Sequence, residues 1–482
     1  MRPWGRACSE CVRAFPVSDQ GPVADQSVEN NGDPNNPRVD SLTRLLLRST
    51  VMSKRANAIR EWLVDALVDA LIGSLVGVLS GIGSAAFLHS LTWATRMRTN
   101  NGWVVWLLPL AGLLVGIGYA TVGSSVARGA NLVIDESIEP TTGIPIRMAP
   151  IVLVGATITH FFGGSGGREG AAVQIAAGLS SPLRKLRRRL GGTFTRGVSS
   201  LDSASALRGD RVLLIAAIAG GFGSVFGVPF GGVVFALEVR RVGHMRADGL
   251  AAAIAASFLG DQVTRQLGIK HVLPRAFRAP SWTFALIGKY LVLAVAFAFA
   301  AYLFVELCHG VRDLSTRISP RSSLRPVLGG VAVLALMSAI GTRAYLGLSL
   351  PLIDSAIAGA TVVSSAWFAK LVFTAITIGS GFPGGEVTPL FGVGACLGSV
   401  LAGPLGMSRP TAAALGFVAV FAAASNTPIA CSILAVELFG PHIAVPVFVV
   451  CFTAAHLKGQ RSVYPAQRQH KGPLGLPWLG NS

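Results

Sequence analysis

The sequence predicts an all-helical integral membrane protein, and three observations carry that expectation. Hydrophobic residues make up 51% of the 482 and charged residues only 13%, about half the charged share of a soluble globular chain. Apolar segments succeed one another from about Glu61 nearly to Tyr464. Several of them reach the roughly 20 residues that a spanning helix needs. A soluble fold with so little charge could not cover its surface. One large body solvated mostly by lipid is therefore expected, where length alone would suggest about three soluble domains.

Residues 1–58 are polar, rich in Asn, Asp, Pro and Arg, and lack the apolar core of a signal peptide, so they read as a cytoplasmic tail of little order. Cys8 and Cys11 form a lone CxxC with no second pair at zinc-ribbon spacing and read as incidental; no metal site and no cofactor are expected. Cys308, Cys396, Cys431 and Cys451 lie in apolar runs and should pack as small hydrophobes. The membrane body is placed at 59–466, with spans at 71–95, 102–127, 290–305 with its flanks, 326–342 and 438–457. Residues 467–482 read as a short tail, and no regulatory domain is expected there.

The stretches 148–181, 211–242, 371–405 and 411–440 are apolar too, but Gly and Pro break them into pieces of about ten to fifteen residues, too short to cross alone. Their ends cannot face lipid, where each unsatisfied backbone group costs several kcal/mol. They must point into protein or water. Broken helices meeting near the midplane are how transporters build ion sites, because the helix N-termini supply N–H groups and positive dipole ends.

The body also repeats itself, with halves at about 59–270 and 280–466. AAIAGGFGSVFGVPFGGVVFALEV resembles GFVAVFAAASNTPIACSILAVELF, and Pro229 precedes Glu238 by the same nine positions as Pro428 precedes Glu437. Each block follows a Gly-rich segment with a glutamate: GGSGGREGAAVQ at 163–174 and GSGFPGGEVTPLF at 379–391. The net charge of +18 sits at span ends and in loops such as SPLRKLRRRL, which includes Arg184, Lys185, Arg187, Arg188 and Arg189. That placement fits the positive-inside bias of cytoplasmic loops. It does not fit nucleic-acid binding, which would need interleaved aromatics.

By position, Glu169 is the leading candidate to carry chemistry. An ionisable group inside an apolar body is a functional hypothesis by default, and the glycines around it free backbone N–H groups to face a ligand. The loop lacks the Lys-Ser/Thr of a nucleotide-binding loop. A carboxylate at a helix N-terminus occupies the kind of site an anion would take, so one residue could be both gate and proton carrier; the alternative is a capping carboxylate paired with Arg168.

GREGAAVQ is similar to the GREGP or GKEGP motif of the CLC chloride channels and chloride/proton antiporters. GGEVTP at 384–389 resembles that family's GxFxP motif, and Pro229 with Glu238 resembles its AAxxxAPLxGxxFxxE block. The resemblance covers about 70–460. It implies an inverted-repeat CLC-type transporter with broken and re-entrant helices, a homodimer with a pathway in each subunit, a multi-pass protein of the bacterial inner membrane and not an enzyme. The departures point further. GANLV at 129–133 stands where the family has GSGIP, with Ala130 replacing Ser and Asn131 next to it; Ala171 replaces the Pro of GREGP; Val239 stands where chloride antiporters carry an inner proton-transfer glutamate. These changes resemble the fluoride-exporting clade. By resemblance, Glu169 is the gating glutamate and Glu386 and Thr388 are second-half partners. Ala130, Asn131, Gly170, Val387 and Tyr464 join Thr388 in the anion site. Proton-coupled fluoride export is the implied function, with chloride channel or chloride/proton exchange as the alternative. Fluoride, a small and strongly hydrated anion, must exchange its water for many donors, which helix-end amides, a side-chain amide, a phenol and a protonated carboxyl can supply.

Other residues carry competing readings. Lys370 should hydrogen-bond backbone carbonyls, the alternative being direct contact with the anion. Glu238 and Glu437 should be structural carboxylates at helix ends, the alternative being proton carriers. His160 and Ser165 in GGSGG raise a distant alternative, an intramembrane hydrolase.

Overall fold

A computed structural model describes residues 37–186, 203–245, 247–271 and 284–469; for 37–59, 61, 203–206 and 284 it describes the helical backbone alone. The chain divides into two compact units, Met1–Glu61 and Trp62–Ser482. In the first, the chain is helical from Pro37, which corrects the expectation of little order for 37–58. Cys8, Cys11, Arg187, Arg188 and Arg189 lie outside the described residues. The second unit is all-helical among the described residues.

Its first half contains α1 (Pro37–Asn100, from Trp62 onward), α2 (Leu108–Thr121), α3 (Ala130–Ile138), α4 (Met148–Phe161), α5 (Glu169–Ser180), α6 (Ser203–Phe226), α7 (Pro229–Glu238) and α8 (Leu250–Gln266). The second half contains α9 (Phe284–Ile318), α10 (Arg325–Ile340), α11 (Leu350–Ile357), α12 (Ala366–Gly379), α13 (Val387–Ala402), α14 (Arg409–Ser425), α15 (Pro428–Phe439) and α16 (Ala444–Lys458).

Among the described residues, six segments are long and apolar enough to cross a membrane: Trp62–Asn100, Gly102–Thr121, Leu207–Phe226, Ala285–Ile318, Ser322–Ile340 and Pro441–Lys458. Five overlap the expected spans. The sixth, Leu207–Phe226, corrects the reading of 211–242 as short pieces throughout. Gly220, Gly221 and Gly223 do not interrupt α6; they let it pack closely. A Cβ on Gly221 would stand 2.9 Å from the Cα of Val173 in α5, and one on Gly220 would stand 2.8 Å from the Ser80 hydroxyl. The chain breaks only afterwards, at Gly227 and Val228, before Pro229 opens α7.

The other breaks fall as expected. Between α4 and α5, and between α12 and α13, the chain turns through Gly163 (φ +95°) and Gly381 (φ +102°), the same place in each half. A side chain would be strained there, so glycine permits the turn. Asn426, at φ +54°, closes α14 before Pro428 opens α15.

The halves interlock most plainly at α7 and α15. Glu437 accepts the N–H groups of Phe230 (2.9 Å) and Gly231 (2.6 Å) at the start of α7. Glu238 accepts those of Ile429 (3.0 Å) and Ala430 (2.7 Å) at the start of α15. Each short helix thus ends in the carboxylate that caps the other, which requires the two to run antiparallel. Glu238 and Glu437 are structural carboxylates at helix ends, as expected, but each caps the partner repeat's helix. Cys308, Cys396, Cys431 and Cys451 are buried free thiols.

Candidate functional site

The turns before α5 and α13 meet and bond to one another. Gly167 donates its N–H to the Gly385 carbonyl (2.6 Å), and Gly385 donates back to the Gly167 carbonyl (2.9 Å), an antiparallel bridge joining the halves. Only glycine allows this approach. A Cβ on Gly385 would lie 2.8 Å from the Gly170 nitrogen, and one on Gly167 would lie 2.9 Å from the Gly385 oxygen. The clamp brings two helix N-termini together, and with them their free N–H groups.

Glu169, the first residue of α5, is 1% exposed. Its carboxylate crosses to the other repeat. It accepts the Thr388 N–H (3.1 Å) and the Thr388 hydroxyl at the start of α13, together with the Arg168 N–H (3.0 Å). The Arg168 Nε lies 3.4 Å away, and that guanidinium also sits over the Phe226 ring, 5.8 Å from its centroid. The contact with Arg168 expected of a simple cap is therefore present. It accompanies occupation of α13's N-terminal donors, the position an anion would take.

Below this carboxylate lies a small cavity of about 20 Å³, lined by Glu169, Gly170, Ala130, Val387 and Tyr464 among others. Five of the eight expected site residues thus share one chamber. Val239 lines it too and is fully buried, an apolar wall on that side.

A second cavity, about 560 Å³, holds the remainder except Thr388. Glu386, Asn131, Arg128, Arg312 and Arg325 line it, and Ala130 lines both chambers. Glu386 stands just before α13, in the place Arg168 takes before α5, without making a capping hydrogen bond. Its buried Oε2 has no hydrogen-bond partner among the described residues. Asn131 differs from expectation. It lines the large cavity, not the small one, and its Oδ1 accepts the Ala466 N–H (3.2 Å), so it latches the segment that carries Tyr464. Thr388 likewise does not line the small cavity; it donates to the Glu169 carboxylate.

Sequence reasoning missed the Gly167–Gly385 clamp, although paired glycines at the same place in both repeats were a usable signal. It also missed the extent of a buried network. Fully buried Lys370 donates to the carbonyls of Tyr345 (3.2 Å) and Gly347 (2.7 Å), as expected, and also to the Ser165 hydroxyl (2.8 Å). Ser165 is further held by Thr374 and Thr377 from α12. His160 turns its two ring nitrogens to the carbonyls of Ala156 (2.8 Å) and Gly166 (3.1 Å). His160 and Ser165 are each engaged elsewhere and form no nucleophile–base pair.

A family model described as "Voltage gated chloride channel" matches residues 119–459. The chain is 38% identical over 406 residues to a protein of Pseudomonas syringae pv. tomato named "Chloride/fluoride channel protein", covering 81% of this chain and 85% of that one. It is 28% identical over 410 residues to "H(+)/Cl(-) exchange transporter ClcA" of Cronobacter sakazakii, covering 78% and 83%. Its fold matches the crystal structure of a CLC-type fluoride/proton antiporter with TM-score 0.75 at 30% identity, over 83% of this chain and 98% of that one.

Proposed function

Because the chain belongs to the voltage-gated chloride channel family of membrane anion transporters, we propose that it exports fluoride across the bacterial inner membrane in exchange for protons. The observation that carries the mechanism is the crossing of Glu169 onto the N-terminus of α13. While ionised, this carboxylate takes the Thr388 donors and competes with an anion for them. Protonated from outside, it loses the charge that the helix N-terminus attracts and swings aside. The freed amides, with the Tyr464 phenol and the helix-end N–H groups near Ala130, Gly170 and Val387, then hold the anion as it moves outward.

The proton leaves by a different side. Val239 offers no titratable group, whereas Glu386 stands next to Gly170: a Cβ on that glycine would lie 3.5 Å from Glu386 Oε2. Glu386 also faces a chamber large enough for water. We assign it the inner proton step. Fluoride is favoured over chloride by the absence of the Ser hydroxyl at Ala130, by Glu386 and Thr388 in GGEVTP, and by the names of two similar proteins. The chloride reading rests on similarity to a named chloride exchanger. The family resemblance also supports a homodimer with one pathway per subunit, and the basic 184–189 loop supports its placement on the cytoplasmic side.

Reconstitution in liposomes tests the reading, with fluoride and chloride electrodes and an imposed proton gradient. Fluoride efflux should exceed chloride efflux and should drive proton uptake, and Glu169→Gln should abolish the proton movement. Retained proton-coupled fluoride flux in that variant would overturn the mechanism. Faster chloride than fluoride flux in the native protein would replace the substrate.

A further inference from the structure

We propose that Phe222 and Phe235 form a rigid wall that sets the size of anion the small cavity accepts; this rests on the cavity being the anion site. Halides carry the same charge and shape, so a site can separate them by donor number or by room. The chamber of about 20 Å³ offers about the room one water-sized species requires. Ala130 brings no side-chain donor to it, and apart from Glu169 and Tyr464 its side chains are apolar, including Val173, Ile218 and Val239. Discrimination therefore falls largely on how firmly the walls hold their positions.

Aliphatic walls can give by changing rotamer. The two phenylalanines cannot readily do so. Both line the chamber and are almost fully buried, and their rings stack with centroids 4.2 Å apart. Behind them Phe226 lies 4.9 Å from Phe222, and Phe421 lies 5.9 Å from Phe235. Those rings rest in turn on Phe391, at 5.3 Å and 5.6 Å, which stacks on Phe417 at 4.0 Å. Moving the wall back would disturb an aromatic cluster at close-packed density. A larger anion would thus meet the cost of overpacking, which a small one escapes.

The test measures initial chloride and fluoride efflux from liposomes for Phe222→Leu, Phe235→Leu and their alanine counterparts, with Phe87→Leu as a control, a fully buried phenylalanine of α1 outside these stacked rings and off the cavity. The chloride-to-fluoride ratio should rise about tenfold or more in the wall variants, the scale on which small changes of pocket volume discriminate. Fluoride flux should persist, and the control should keep the native ratio. If the alanine variants do not reconstitute, the leucine variants decide. An unchanged ratio in both leucine variants with fluoride flux intact overturns the proposal, as does an equal rise in Phe87→Leu, which would mean general loosening. Native protein carrying chloride as fast as fluoride would instead overturn the fluoride reading. The wall then still requires bromide to gain on chloride in the same variants, and no gain there overturns it.

Discussion

Two pairs of carboxylates stand at broken-helix ends in this protein, and they are arranged in opposite ways. Glu238 and Glu437 obey the repeat symmetry: each lies late in a short helix, each caps the partner helix, and each accepts two backbone N–H groups. Glu169 and Glu386 break it. Glu169 leaves its own helix to occupy the start of α13, while Glu386, already at that start, leaves one oxygen without a partner among the described residues. Val387, not a glutamate, holds the place in α13 that Glu169 holds in α5. A symmetric, satisfied pair has nothing to gain from moving, so it serves as a fastener. An asymmetric pair, with three donors crowded on one carboxylate and a free oxygen on the other, has a second arrangement available to it.

The comparison breaks outright if Glu169→Gln keeps its proton coupling. Gln retains the shape, and its one oxygen can still accept the Thr388 N–H, but it cannot ionise. Fluoride-driven proton uptake should fall by about a hundredfold or more, on the scale at which removing a positioned acid–base group acts. Thermal stability in detergent should change little. The fastener should behave in the opposite way. Glu238→Ala leaves two donors at the start of α15 uncapped and removes two charge-assisted hydrogen bonds, each of about 1.5–3 kcal/mol. The expected result is a loss of about 3 kcal/mol or more, read as a lowered unfolding midpoint. Glu437→Ala should cost less, because one of its donors belongs to Phe230, which is 58% exposed. Proton-to-fluoride coupling in whatever Glu238→Ala protein survives should stay native, and a changed coupling ratio would make Glu238 a carrier.

Much of this contrast was legible in the sequence, but unevenly. The four broken stretches, the matched proline-to-glutamate spacing and the position of Glu169 in a Gly-rich turn inside the apolar body all follow from local chemistry. Gly220, Gly221 and Gly223 misled, because a glycine that breaks a helix and one that lets another backbone approach look alike until the neighbour is known. Here the neighbours are Ser80, Val173 and Ser257, distant in sequence. The placement of Asn131 was hidden for the same reason: its oxygen accepts from Ala466, which only the folded chain brings near, and it lines the large cavity. Which carboxylate caps which helix is also a long-range fact, so spacing could mark Glu238 and Glu437 as a pair without showing that they exchange partners.

A weaker test concerns the unpartnered half of the asymmetric pair. Glu386→Gln keeps the fold of the α13 entrance and leaves the Glu169 contacts intact, so fluoride binding should persist. Proton release to the large cavity should slow, lowering coupled turnover by about tenfold, and adding a proton gradient should no longer accelerate fluoride efflux. Full acceleration by the gradient would free Glu386 from the proton path and leave water alone to carry the step.

The smallest expected effect isolates how Glu169 is held. Thr388 contributes two donors, a backbone N–H that any residue supplies and a hydroxyl that valine lacks. Thr388→Val preserves the branched shape at a fully buried position while removing that one hydrogen bond to a charged group, of about 1.5–3 kcal/mol. Part of this loss falls on the state with Glu169 seated and part on the state with the anion seated, since both draw on the same donor. If the carboxylate uses the hydroxyl more than the anion does, the gate loosens: uncoupled fluoride leak rises several-fold while the apparent affinity for fluoride barely moves. If the anion uses it more, affinity falls and leak stays low. Concentration dependence of efflux, measured with and without a proton gradient, separates these outcomes. A variant unchanged in both would show that the backbone N–H groups at the helix start suffice to hold the gate.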